Sequence, residues 1–247
     1  MFIGTNIVSL DCVSSTNLYV RTNLKDLKDG SFVIAKTQTA GRGRLKRRWE
    51  SEIGNLYCSF LLKDHSWIQP ITRLPILCSV ALRRTVVGLT NSDAVMLKWP
   101  NDLLYKGAKL SGILIESEQD ALVVGVGLNI AKAPIIPDKN TACVKQMLPP
   151  QSKIPEPQKV ASELIRNFND LAVFYVNNGF DIIRSEWETY CAHLNKKVAI
   201  NEGLDDNTSI KEAVFLGLEL DGGAKLNFQG AEGIKIVHYG ELDGRNL

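Results

Sequence analysis

The sequence predicts an α/β (α+β) fold, with a sheet-based domain over residues 1–194 and a small β-barrel over residues 195–247. Three observations carry that expectation. Short β-patterned runs alternate with amphipathic helical periods as far as Leu194. Beyond it the texture changes to brief β-rich runs, with Asp221-Gly222-Gly223 as a hairpin signal. Gly125-Val126-Gly127-Leu128-Asn129 is only half a dinucleotide fingerprint, lacking a third glycine and a helix to open, which argues against a doubly wound nucleotide fold.

In chain order, Ile7–Leu10 reads as a short strand, and Ser14, Ser15 and Thr16 offer N-caps for a helix through Leu27. Ser31–Thr37 and Asn55–Lys63 read as strands, the second with Leu56, Cys58, Phe60 and Leu62 on one face. Ile71–Leu89 has a helical stripe of Leu74, Leu77, Cys78 and Ala81, with Pro75 tolerated near the first turn. Val95–Lys98, Lys109–Glu116 and Ala121–Ile130 are strand-like, and proline-rich Ala131–Pro157 is a connection. Helices are expected over Val160–Val176 and Asp181–Leu194, then strands over Lys197–Ile200, Ser209–Leu220 and Lys225–Phe228. A barrel this small is marginal alone, so it should pack against the larger domain.

The chain has 247 residues, 45% hydrophobic and 23% charged, a balance that fits a globular protein with a real core. The longest uncharged run, Ala121–Ala131, falls well short of the roughly 20 residues a spanning helix needs. No basic start or small-residue cleavage site marks a signal peptide. Five scattered cysteines without a C-x-x-C pair read as reduced thiols, so a cytoplasmic location is expected. Net charge is +2, yet GRGRLKRR at 41–48 holds Arg42, Arg44, Lys46, Arg47 and Arg48 and no acid. Removing those five charges takes +2 to −3, so the positive potential is concentrated in one loop and suits a local anion.

Four segments carry chemistry. In Gln38–Trp49, glycines let the backbone approach a ligand while guanidinium forks suit carboxylate or phosphate, and Trp49 offers a stacking face. A bare basic cluster is also a common solvated loop, but this one sits between two strands and closes on a tryptophan. Lys98-Trp99-Pro100-Asn101-Asp102 places an Asn-Asp pair at a strand end, fit for Mg²⁺ or for an ordinary turn. Lys109-Leu110-Ser111-Gly112-Ile113-Leu114-Ile115-Glu116 opens an apolar strand with a lysine, a site residue or a plain edge residue. Gly125–Asn129 is the fourth. No G-x-x-x-x-G-K-[ST] loop and no G-x-S-x-G elbow occurs, and three dispersed histidines make a zinc site unexpected.

Taken in order, these segments resemble the biotin–protein ligase family, strongly over Ser14–Ile130 and weakly beyond. Ser15-Thr16-Asn17 resembles its S-T-N element, Lys98–Asp102 its K-W-P-N-D, Lys109–Leu114 its K-L-[AS]-G-I-L, and Gly125–Asn129 its G-[IV]-G-x-N. The resemblance implies a mixed sheet backed by helices and a C-terminal SH3-like barrel. It implies that Ser15, Thr16, Asn17, Gln38, Gly41 and Arg42 hold biotin, with Lys109 and Gly112 beside its carboxylate. Arg44, Arg47, Trp49, Asn101, Asp102 and Asn129 would take ATP, with Asp102 helping to place Mg²⁺. Lys109 and Arg44 are the expected catalytic residues. Lys46 stands where the family often has glycine, a departure within the loop.

The implied reaction joins biotin to AMP and then transfers it to a lysine of a biotin carboxyl carrier domain of a carboxylase. The resemblance leaves room for a homodimer. A strand begins by residue 7, so no helix-turn-helix is expected ahead of it, and no operator DNA as partner. Lipoate–protein ligase shares the adenylation logic, and the basic run also fits a nucleic-acid-binding module. K-W-P-N-D and the arginine-rich loop favour biotin.

Overall fold

The computed structural model describes residues 2–201, 210–228 and 233–243. Its larger sheet is built from β1 (Asn6–Val13), β2 (Ser31–Gln38), β3 (Leu56–Leu62), β4 (Val95–Lys98), β5 (Asp102–Tyr105), β6 (Ala108–Glu118) and β7 (Ala121–Leu128). The spatial order is β1-β2-β3-β7-β6-β5-β4. β1 and β2 run parallel, so the chain must cross over between them, and α1 (Thr16–Thr22) lies within that crossover. The other pairings are antiparallel, which makes the sheet mixed.

β3 is buried along its whole length, and its alternation explains the layering. Leu56, Cys58, Phe60 and Leu62 enter the main core with α2 (Leu74–Thr90) and α3 (Pro157–Asn178). Leu61 points the other way, into a smaller cluster with Val20, Leu24, Leu27 and Val33. Ser59 shares that second face and meets the start of α1.

Several boundaries differ from the sequence expectation. α1 ends at Thr22 because both the backbone N–H and the side-chain Nδ2 of Asn23 donate to the Tyr19 carbonyl, at 3.1 and 2.8 Å. Leu24 and Leu27 still bury their side chains, which accounts for helical periodicity continuing past the helix. α4 (Asp181–Thr189) also stops early, because residues 190–192 pair with the free edge of β4: the Leu97 N–H donates to the Tyr190 carbonyl and the Ala192 N–H to the Leu97 carbonyl. β5 was not anticipated; its four residues begin at the Asp102 of the turn-like Pro-Asn-Asp segment and run directly out of it.

The tail forms a five-stranded antiparallel sheet of β8 (Lys196–Asn201), β9 (Ile210–Leu218), β10 (Ala224–Phe228), β11 (Gly233–Val237) and β12 (Glu241–Asp243), in the order β11-β10-β9-β8-β12. Ser209, expected to start a strand, lies outside the described residues. The tail packs against the first 194 residues as expected, through α4 and the segments around Thr72 and Trp99. Phe215 meets Trp187 at 6.1 Å between ring centres, and the Trp99 indole N–H donates to the Gly222 carbonyl at 3.2 Å. Gly222 has φ of +87°, and a Cβ there would lie 2.6 Å from the Thr72 carbonyl oxygen. Among the described residues no helix is long and apolar enough to cross a membrane.

Candidate functional site

A cavity of about 110 Å³ opens where the start of α1, the end of β2, the basic loop, β5, β6 and β7 converge. Ser15, Thr16, Asn17, Gln38, Arg42, Arg44, Arg47, Trp49, Asn101, Asp102, Lys109 and Gly112 all line it. Gly41 and Asn129 do not. Gly41 stands behind the wall, where a Cβ would lie 2.4 Å from the Trp49 carbonyl oxygen, so glycine lets the base of the loop close. Asn129 is buried just past β7 because its side chain ties down the following connection, donating from Nδ2 to the Ala142 carbonyl at 3.0 Å.

One end of the cavity is neutral and heavily hydrogen-bonded. Ser15 is the N-cap of α1, its hydroxyl accepting from the Leu18 N–H. Gln38 Oε1 accepts from the Thr16 N–H at 2.9 Å, and Gln38 Nε2 donates to Ser51 Oγ at 3.0 Å. Asn17 Nδ2 donates to Glu116 Oε2 at 2.8 Å, while its Oδ1 accepts from Ser59 Oγ at 2.6 Å.

The other end is cationic. The basic loop folds back on itself: the Trp49 N–H donates to the Gly41 carbonyl and the Gly43 N–H to the Arg47 carbonyl, with Leu45 exposed at the tip at φ of +53°. Arg44 Nη2 donates to the Gly240 carbonyl at 3.0 Å and Nη1 to Asn101 Oδ1 at 3.4 Å. Burial pushes the Arg44 pKa down, against the opposing charges of Glu241 and Asp102. Arg47 is bonded to Glu241 Oε2 at 2.6 Å. Burial alone would raise the Glu241 carboxyl, but the hydrogen bond and charge of Arg47, with Arg44 and Lys109, hold it below its usual value. The side chain of Lys46 lies outside the described residues.

Lys109 reaches in from β6 and forms an ion pair with Asp102 at 2.7 Å, although Asp102 Oδ1 makes no well-aligned hydrogen bond. The bulge between Leu103 and Leu104 sets the β5–β6 register that brings the two together. Between these ends Trp49 lies over a floor of two paired glycines. A Cβ at Gly127 would sit 2.5 Å from Trp49 Cε2, and one at Gly112 would sit 3.1 Å from Cζ3. Lys109 Nζ is 5.7 Å from the Trp49 ring centre.

Sequence reasoning missed four contributors. Glu116 and Ser59 hold the neutral end from behind, Trp99 ties the K-W-P-N-D segment to the second sheet, and Glu241 brings that sheet into the cavity wall. Glu116 and Trp99 stood in motifs already singled out, without a role of their own. Nothing local in the sequence pointed to Glu241. Among the described residues no cluster of three His, Cys, Asp or Glu could hold a metal by itself.

Comparison with known proteins gives a consistent picture. Residues 9–130 match the family model described as Biotin/lipoate A/B protein ligase family. The bifunctional ligase/repressor BirA of Bacillus subtilis is 27% identical, the match covering 98% of this chain and 74% of that protein. The biotin–[acetyl-CoA-carboxylase] ligase of Paracoccus denitrificans is 28% identical over 92% of this chain and 96% of that one. Among solved structures, the biotin protein ligase from Aquifex aeolicus in complex with biotin and ATP superposes with a TM-score of 0.81 at 26% identity, covering 97% and 98% of the two chains.

Proposed function

The chain belongs, through residues 9–130, to the biotin/lipoate A/B protein ligase family, and on that premise we propose that it is an ATP-dependent biotin–protein ligase. The observation that carries the reading is the polarity of one cavity. Its neutral end offers Ser15, Thr16 and Gln38 to a small uncharged ring, and its cationic end offers Arg44, Arg47 and Lys109 to anions. Biotin is a neutral ureido ring joined to a carboxylate, and ATP supplies a triphosphate.

In the first step a biotin carboxylate oxygen attacks the α-phosphorus of ATP and pyrophosphate departs. A carrier lysine amine then attacks the carbonyl of the mixed anhydride, releasing AMP and a proton. Two anions have to meet, so cation placement is the main catalytic demand. Lys109 would leave Asp102 to lie between the carboxylate and the α-phosphate. Arg44 and Arg47 would hold the phosphates, Asn101 would steer Arg44, and Trp49 would stack on the adenine. Gly112 would admit the ligand close to β6, Arg42 would close over biotin, and Gly41 would act from behind the wall by letting the base of the loop close. Asn129 would act from behind the wall, by holding the connection that carries Ala142.

A divalent cation fits only in company. Asp102 offers one carboxylate oxygen without an aligned hydrogen bond, and Mg²⁺ commonly takes one or two carboxylates plus substrate phosphates. Bound there it would neutralise phosphate charge. A biotin carboxyl carrier domain is the proposed acceptor, and a cytoplasmic location completes the reading, in keeping with five free cysteines of which four are buried.

Pyrophosphate release with biotin, desthiobiotin and lipoate as competing acids tests the proposal. Biotin and desthiobiotin should both support release, since each keeps the ureido group, and lipoate should not, because the polar wall would be left unpaired. Release with lipoate alone would overturn it.

A further inference from the structure

We propose that Glu116, which does not line the cavity, is a positioning residue: its carboxylate sets the direction of a hydrogen-bond relay that makes the Thr16 hydroxyl an acceptor toward the ligand. The inference rests on the ligase reading above.

The relay follows from counting protons. Asn17 Nδ2 faces Glu116 Oε2 at 2.8 Å and the Leu114 carbonyl at 3.3 Å, and both partners can only accept. The Asn17 amide is therefore fixed with Oδ1 toward Ser59. Ser59 Oγ lies 2.6 Å from that oxygen and 2.7 Å from Thr16 Oγ1. Its single proton must go to Asn17, which has none to offer in return. Thr16 then supplies the proton between the two hydroxyls, or gives it to Gln38 Oε1 at 3.2 Å. Either way that proton is spent inside the protein, and the cavity meets lone pairs. A ring bearing N–H donors is the complementary ligand.

Three features keep the relay from reversing. Glu116 pairs with Arg21 at 3.1 Å and with Arg42 at 3.4 Å, which holds it as an acceptor-only carboxylate. Ser59 is fully buried behind the cavity wall, so water does not compete for its proton. Gly125 leaves the space that Asn17 fills, since a Cβ there would lie 2.2 Å from Asn17 Oδ1. Both ends of the Asn17 amide are used within the protein, so its part in the site is in the relay, not on the ligand.

Ser59→Ala breaks the relay behind the wall, and Glu116→Gln lets the Asn17 amide turn over. Biotin titrated by calorimetry without ATP should bind about tenfold more weakly to each variant, the cost of one mispaired buried group. KM for ATP should stay within about twofold, because the cationic end is untouched. The preference for biotin over an analogue methylated on its ureido nitrogens should shrink in both variants. Unchanged biotin affinity in Ser59→Ala overturns the relay. So does a parallel loss of biotin and ATP binding, which signals general loosening. A wild-type chain that binds no biotin overturns the ligase reading and the relay with it.

Discussion

Lys109 concentrates the electrostatics of the site in one side chain. Its ammonium is half-buried, paired with Asp102 and close to the face of Trp49, on a strand whose Gly112 keeps the backbone open. Negative charge grows between carboxylate and α-phosphate only as biotin attacks, so a cation fixed there favours the transition state over either substrate. Removing one preorganised donor of this kind costs on the order of 10²–10³ in rate, and Lys109→Ala should slow single-turnover pyrophosphate release by about that factor. Biotin affinity without ATP should change much less. Lys109→Arg should rescue it only in part, because a planar fork cannot occupy the same point between two anions. A fall of less than about threefold in Lys109→Ala would leave the lysine as an ordinary edge residue.

At the scale of elements, the basic loop is held by the second sheet, through Arg44 on the Gly240 carbonyl and Arg47 on Glu241. The Glu241 carboxyl is held below its ordinary value in the folded chain. It therefore adds stability above the unfolded carboxylate pKa, and that contribution is lost as pH falls through the lower folded value. The melting temperature of the wild type should exceed that of Glu241→Gln near pH 7, and the gap should narrow as pH falls below the ordinary glutamate range and close once pH is below the lowered folded value. A gap independent of pH would sever the pairing from stability. This contact also marks where the sequence stops being legible. Strands with clean alternation, such as β3, and motifs on consecutive residues, such as Lys98–Asp102, could be read directly because their signal is local. Arg47 and Glu241 are 194 positions apart, and no local pattern joins them. β11 and β12 are short: β11 exposes Ile234 and Ile236 and buries only Val237, and β12 buries only Leu242, so neither carries an alternation long enough to read. Glu116 lay in a motif that was read, but its job depends on Asn17, 99 residues earlier in the chain.

Across the whole molecule, topology and packing divide the chain differently. The order of strands separates two sheets, and we propose a boundary between residues 194 and 195 on that ground. The buried core, however, runs through both without a break, from Phe60 and Phe168 to Trp187 and on to Phe215 and Leu226. Trp187 is fully buried, with Phe215 against it and its indole N–H on Ser79 Oγ at 3.1 Å. Polar ties cross the same junction: Arg184 Nη1 donates to the Leu218 carbonyl at 3.0 Å, and the Leu218 N–H to Glu188 Oε1 at 2.7 Å. Deleting residues 195–247 would bare this apolar face and take away the partners of half-buried Glu188 and buried Trp99 at once. The full chain should therefore unfold in one transition, with tryptophan fluorescence and far-ultraviolet circular dichroism coinciding. A fragment of residues 1–194 should fail to fold cooperatively. Gly222→Ala offers a gentler probe of the junction, because it forces a Cβ against the Thr72 carbonyl in a left-handed backbone conformation. It should destabilise the whole chain by about 1–3 kcal/mol, lowering both signals together rather than melting the second sheet first. Two separated transitions, or a fragment that folds and binds biotin alone, would show that the second sheet is an appendage and that the cavity is complete without it.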